Sequence, residues 1–163
     1  MIASLAGILK FKSPTEVLVD VNGVGYSVLI PLSTFEKLGP LNSPTVLLTH
    51  LHVREDALLL FGFATEEERH LFRLLISVSG IGPKIAQGIL SGISASDLRR
   101  HIVTGNSAAL PAITNVGKKT AERLVLELRD KMAKADSVGE SALPPGDKRE
   151  GARSEALLAL TSL

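Results

Sequence analysis

The chain has 163 residues, 45% of them hydrophobic, with 18 Lys and Arg against 17 Asp and Glu, enough to bury a core in one or two small domains plus a tail. It has no cysteine, which excludes disulfides, zinc–thiolate sites, iron–sulfur clusters and a cysteine nucleophile. Lys and Arg set against Asp and Glu give −1 for residues 1–63, +4 for 64–134 and −2 for 135–163, so the positive charge collects mid-chain, as the footprint of a polyanion would.

Residues 1–63 read as β. Ile2 to Phe11, Glu16 to Val21, Gly25 to Pro31, Thr45 to His52 and Ala57 to Phe63 are β-rich runs, broken by Ser13-Pro14, by Asn22-Gly23, by a longer polar stretch and by Glu55-Asp56. Asn22-Gly23 signals a tight hairpin. In the polar stretch Ser33 and Glu36 stand at capping-box spacing and predict a short helix ending near Gly39-Pro40. Five strands in this length predict a small closed barrel of the oligonucleotide/oligosaccharide-binding (OB) type. Barrels that hold single strands use aromatics and basic grooves. Here Phe11, Tyr26, Phe35, Phe61 and Phe63 read instead as core, and the barrel as an assembly scaffold.

From Ala64 the pattern turns helical. Thr65 is placed to cap a helix with Glu66, Glu67 and Glu68 in its first turn, and Leu71, Leu74, Leu75 and Val78 form its apolar stripe. A second helix runs from Pro83 to Leu90, and a third starts near Ser94, with Asp97 at capping distance, and stops at Gly105. After a short turn around Leu110, a last helix is expected from Lys118 to Met132, carrying Leu124, Leu126 and Leu128. Residues 135–151 have linker composition, and 152–163 bring apolar residues back at Ala156, Leu157, Leu158 and Leu160. One such helix builds no core alone.

Two stretches of this helical part repeat one phrase. Val78-Ser-Gly-Ile-Gly-Pro-Lys-Ile-Ala86 is echoed by Ile113-Thr-Asn-Val-Gly-Lys-Lys-Thr-Ala121. Each reads as a helix end, a tight turn and a new helix. Gly80, Gly82 and Gly117 can take positive φ and put no side chain between backbone and ligand, and Asn115 stands where the first copy has glycine. A helix opening at Pro83 or Lys118 offers unpaired N–H groups and the positive end of its dipole. With Lys84, Lys118 and Lys119 beside them, two such turns predict two grips on DNA phosphates, binding the backbone without reading bases.

Met1-Ile-Ala, His52-Val-Arg-Glu-Asp-Ala57, Leu60-Phe-Gly-Phe63, Ser77-Val-Ser-Gly-Ile-Gly-Pro-Lys84 and Val116-Gly-Lys-Lys-Thr-Ala-Glu-Arg-Leu124 together resemble the RuvA family. These are the bacterial Holliday-junction-binding subunits of the RuvAB branch-migration complex. The resemblance runs from Met1 to about Lys134 and resumes weakly in the last helix. It implies an α+β multidomain chain: an OB-type barrel over 1–63 for tetramerisation, an all-α tandem helix-hairpin-helix domain over 64–134, a flexible linker over 135–151, and the start of an incomplete third domain over 152–163.

The resemblance further implies homotetramers, with octamers as the alternative, that hold a four-way junction open and planar for recombination and repair. Phosphates would be gripped by Gly80, Gly82, Lys84, Asn115, Gly117, Lys118, Lys119 and Arg123. Glu55 and Asp56 match the family's acidic pin, which in a fourfold assembly would repel phosphates at the crossover. Leu157, Leu158 and Leu160 would face the hexameric ATPase RuvB. The RuvC resolvase is the other implied partner.

No cofactor, metal site or catalytic centre is expected. No GxxxxGK[ST] loop is present, so ATP hydrolysis falls to the partner. His50 and His52 lack a carboxylate at ligand spacing, His70 and His101 stand alone, and Ser77 and Ser79 have no accompanying base. The second hairpin also resembles that of base-excision glycosylases, with Lys119 at a nucleophile's position, so a glycosylase or lyase is the alternative reading. The downstream candidate for its aspartate partner, Asp136, falls in the linker composition. No run of about 18 apolar residues and no signal-peptide pattern occur, so no membrane partner and a cytoplasmic address are expected.

Overall fold

The computed structural model describes residues 1–110 and 116–139. Two compact units divide at Lys131/Met132. In the first, β1 (Ser4–Lys12), β2 (Glu16–Val21), β3 (Val24–Leu29), β4 (Pro44–Val53) and β5 (Leu58–Phe63) close a barrel in the order β1-β2-β3-β5-β4. All neighbours are antiparallel except β3 and β5, which meet in parallel at Leu29 and Phe61. The β2–β3 hairpin turns at Asn22 and Gly23, whose φ of 52° and 90° are the left-handed pair a two-residue hairpin needs.

Period-two alternation sends Leu5, Leu9, Val17, Val19, Val28, Ile30, Leu47 and Leu60 into the barrel. Gly62 shares that inward face because nothing larger fits: a Cβ there would lie 2.6 Å from Val28 Cγ1. Phe61 and Phe63 point the other way, under a helix. Phe11 departs from the core expectation and is 50% exposed. The β1–β2 register shifts between Leu9 and Phe11, and that bulge reverses the alternation so that Phe11 faces outward.

α1 (Leu32–Lys37) does not start at Ser33. Its N-cap is Pro31, which makes no side-chain cap bond, while Ser33 sits inside the helix. Lys12 closes the other end by donating to Leu38 O at 2.9 Å, its ammonium 4.5 Å from the Phe35 ring centroid.

α2 (Glu66–Ile76) is capped by Thr65, whose hydroxyl accepts from Glu68 N at 3.2 Å. Phe72 lies between Phe61 and Phe63, with both ring centroids 4.9 Å away, and fixes α2 across the barrel wall. Glu68, 1% exposed, is the buried charge of this contact. It accepts from Thr34 Oγ1 at 3.0 Å, Lys37 Nζ at 3.0 Å and Ala64 N at 3.2 Å. Burial pushes its pKa up, but Ser33, Lys37 and Thr34 pull harder and hold it below the ordinary 4.5.

α3 (Pro83–Gly92), α4 (Ala95–Thr104) and α5 (Lys118–Gly139) complete the described helices. Ser94 caps α4 by accepting from Asp97 N, and Gly105 ends it at φ 70°. α5 buries Ala121, Leu124, Val125 and Leu128, the spacing of one helix face, whereas Leu126 is 64% exposed on the far side. It runs past the expected Met132 because no breaker precedes Gly139. In the second unit only its end is described. Among the described residues no helix is long and apolar enough to cross a membrane.

Candidate nucleic-acid interface

The first hairpin leaves α2 at Ser77 and turns through Gly80 to α3. Ile81 N donates to Val78 O at 3.1 Å, closing the turn, and both side chains are buried as its apolar foot. Gly80 has φ 88°, a conformation other residues adopt only with strain. Gly82 differs from expectation. It is the N-cap of α3 with φ −83° and ψ 169°, ordinary extended backbone, and a Cβ built on it meets nothing within 4 Å. Neither its conformation nor its packing among the described residues requires glycine there.

Pro83 takes the first position of α3, where it has no N–H to lose. The first intrahelical bond runs from Ala86 N to Gly82 O at 3.0 Å, so the amides of Lys84 and Ile85 ahead of it open outward. The second hairpin repeats the pattern where it is described. Val116 is the buried foot, Gly117 is exposed with open space at its Cβ, and Ala121 N donates to Gly117 O at 2.9 Å. The paired alanines Ala86 and Ala121 are 0% and 1% exposed. Lys84, Lys118 and Lys119 are all exposed. Asn115 lies outside the described residues, as do Leu157, Leu158 and Leu160.

The two turns share one open groove of about 420 Å³, bounded by Gly80, Ile81, Lys84, Ile85 and Gly88 from the first hairpin and Val116, Gly117 and Thr120 from the second. Among the described residues no carboxylate lines it. Arg123 is placed differently from the lysines. Its Nη2 donates to Ser79 O at 2.9 Å and its Nε to Glu127 at 2.8 Å. Lys131 donates to Ser77 O and Oγ at 2.9 and 2.7 Å. α5 therefore clasps the carbonyl end of α2, where cations complement the helix dipole. Nothing in the sequence marked Lys131 for this.

Glu55 and Asp56 are both exposed in the β4–β5 loop, which closes by a 2.8 Å bond from Arg54 N to Ala57 O. Arg54 lies 3.5 Å from Asp56 and offsets part of the acidity. His50 sits between β4 and α2, 5.5 Å from the Phe72 ring, its Nδ1 buried without a partner. Burial first, then Arg73 and His52, hold its pKa below the ordinary 6.5. Among the described residues no three His, Asp or Glu gather where a metal could bind. The side chain of Asp136 lies outside the described residues.

The fold and these turns define a class: a closed OB-type barrel followed by a tandem helix-hairpin-helix unit. Comparison with known proteins narrows it. Residues 1–62 match the model of the RuvA N terminal domain, and residues 72–130 that of the SAM-like Helix-hairpin-helix tandem. A protein of Syntrophotalea carbinolica is 51% identical over 163 residues, covering 100% of this chain and 82% of the relative. One of Geotalea daltonii is 48% identical over 164 residues, with the same coverage, and one of Geobacter sp. (strain M21) is 54% identical over 134 residues, 82% of this chain and 67% of the relative. Each bears the name Holliday junction branch migration complex subunit RuvA. The chain belongs to the RuvA family.

Proposed function

We propose that the chain is a non-catalytic subunit that binds four-way DNA junctions as a homotetramer, holds them open and planar, and brings the motor RuvB to them for branch migration. The observation that carries this reading is the pair of helix starts that open on one groove, with no carboxylate in its lining among the described residues and with glycines at Gly82 and Gly117 that packing among those residues leaves unexplained. Backbone amides at two helix starts, with Lys84, Lys118 and Lys119, suit phosphates along a duplex and carry no base reading. The relatives' names agree with that use. In this reading 1–63 assembles the tetramer, 64–134 grips DNA, 135–151 links, and 152–163 belongs to the motor's side.

A titration of an immobile four-way junction against linear duplex of the same sequence tests the proposal. It holds for a strong junction preference and fails for equal affinity. Gly82→Ala isolates the ligand's share of the turn. With open space at its Cβ and φ −83°, the change should alter stability by no more than about 1 kcal/mol. It should weaken DNA binding about tenfold, the worth of one charge-assisted hydrogen bond. Unchanged affinity would remove Gly82 from the interface.

Glu55 and Asp56, exposed at a loop tip, serve as the pin in this proposal. Brought together in a fourfold assembly they repel phosphates and favour strand separation at the crossover. Glu55→Gln combined with Asp56→Asn should keep or tighten junction binding while altering branch migration by the motor. A double variant that no longer binds junctions would contradict a repelling role.

A further inference from the structure

α3 carries two neighbouring strips of side chains. Lys84 and Gly88, one helical turn apart, border the groove between the hairpins. Gln87 and Ser91, also one turn apart, meet the end of the β2–β3 hairpin and the start of α1. Gln87 Nε2 donates to Ile30 O at 2.6 Å and to Thr15 O at 3.1 Å. Thr15 precedes β2 and Ile30 follows β3, and Ile30 N donates to Thr15 O at 3.0 Å, so one amide group ties α3 to the place where that hairpin closes. Both partners are carbonyls, which only accept, so the orientation of the amide is fixed. Ser91 Oγ accepts from Leu32 N at 3.1 Å and donates to Gln87 O at 2.8 Å, adding a second tie on the same strip.

Gln87 stands one helical turn beyond Pro83, about 6 Å along the axis at 1.5 Å per residue. The contacts of Glu68 and Phe72 hold the first and middle turns of α2, the helix that enters the turn. The Gln87 tie adds a hold on α3 itself, the helix that the first turn opens. Arg123 and Lys131, on Ser79 and Ser77, then carry that hold to the second hairpin.

We propose that Gln87, supported by Ser91, is a specificity-determining positioning residue: it touches no DNA but fixes the hairpins' aim relative to the barrel, and so sets preference for a junction over linear duplex. The inference rests on the junction-binding assembly proposed above. One duplex arm needs only a grip's own atoms. A junction needs several grips engaged at once at angles fixed by the barrels, and the gain from simultaneous engagement vanishes when geometry forbids it.

The experiment compares the full chain with Gln87→Met, Ser91→Ala and the double variant on one immobile junction and one linear duplex, across a salt series, with melting followed in parallel. The wild type is expected to prefer the junction. In Gln87→Met, duplex affinity and its salt slope should stay as in the wild type, while junction preference falls at least about tenfold as multivalent engagement fails. Ser91→Ala, which leaves the Gln87 amide in place, should show the same split more weakly. An undiminished preference in the double variant overturns the inference, as does an equal loss on both DNAs. A wild type without preference overturns instead the proposed function on which it stands.

Discussion

Replacing Lys118 and Lys119 together by glutamine is expected to cost about fifty- to hundredfold in DNA affinity at 0.1 M salt and to flatten the salt dependence by about 0.9 in log–log slope for each phosphate no longer neutralised. Both lysines are exposed at the start of α5 beside Gly117. Their side chains help build no core, so the substitution should leave melting almost unchanged. The loss should fade as salt rises, because what disappears is the release of counterions rather than a packed surface. A salt titration by fluorescence anisotropy reads both quantities. A parallel shift at every salt concentration, with the slope kept, would show that these lysines do not touch phosphate. Arg123→Gln gives a useful contrast, since Arg123 holds Ser79 O and Glu127.

Glu68→Ala is expected to be the most destabilising of these substitutions, at about 3 kcal/mol. It strips the buried Thr34 hydroxyl of its acceptor, worth about 1–3 kcal/mol when left unpaired, and takes one of two acceptors from Ala64 N, which keeps Thr34 Oγ1 at 3.1 Å. Lys37, whose side chain is half exposed, regains water and adds little. A depressed carboxylate pKa means that the unfolded chain binds the proton more readily. Glu68 therefore contributes full stability above its ordinary 4.5, and that contribution is lost as pH falls through the lower folded value. Glu68→Gln should retain part of the hydrogen bonding and remove this acid limb. His50, also depressed, begins to weaken the fold at higher pH, from its ordinary 6.5 downward. Urea melts of Glu68→Gln between pH 7 and 3 that keep the wild-type acid limb would show that another group carries it.

Where a single local rule decided an element, the sequence was a good guide. Asn22-Gly23, Thr65, Ser94 and Gly105 each impose a turn or cap through one residue's chemistry, and all four stand as read. The barrel and the tandem hairpins followed from strand spacing and from a phrase written twice. Expectations failed where tertiary context outvoted the local rule. Ser33 lost the cap to Pro31, and a bulge turned Phe11 outward.

The candidate site was legible as residue types, since glycines and lysines around helix starts carry their chemistry in the backbone and in charge. Four residues were hidden in their roles. Gly82 is glycine with an unremarkable φ and open space around it, which only the folded chain reveals. Glu68, read as a charge for the helix dipole, turns inward; its capping-box spacing from Thr65 was the available signal. Gln87 and Lys131 act on backbone carbonyls distant in sequence, and no periodic pattern records such partners.

The central claim is that two equivalent backbone grips, multiplied by assembly of the barrel, select a four-way junction. The most direct measurement is a mobility-shift titration of one immobile junction against linear duplex of the same sequence, with the mass of each complex determined alongside. Strong junction preference with four or eight subunits per junction is the predicted result. Equal affinity for the duplex, with a single subunit bound, would contradict the account and turn attention to a reaction at Lys119.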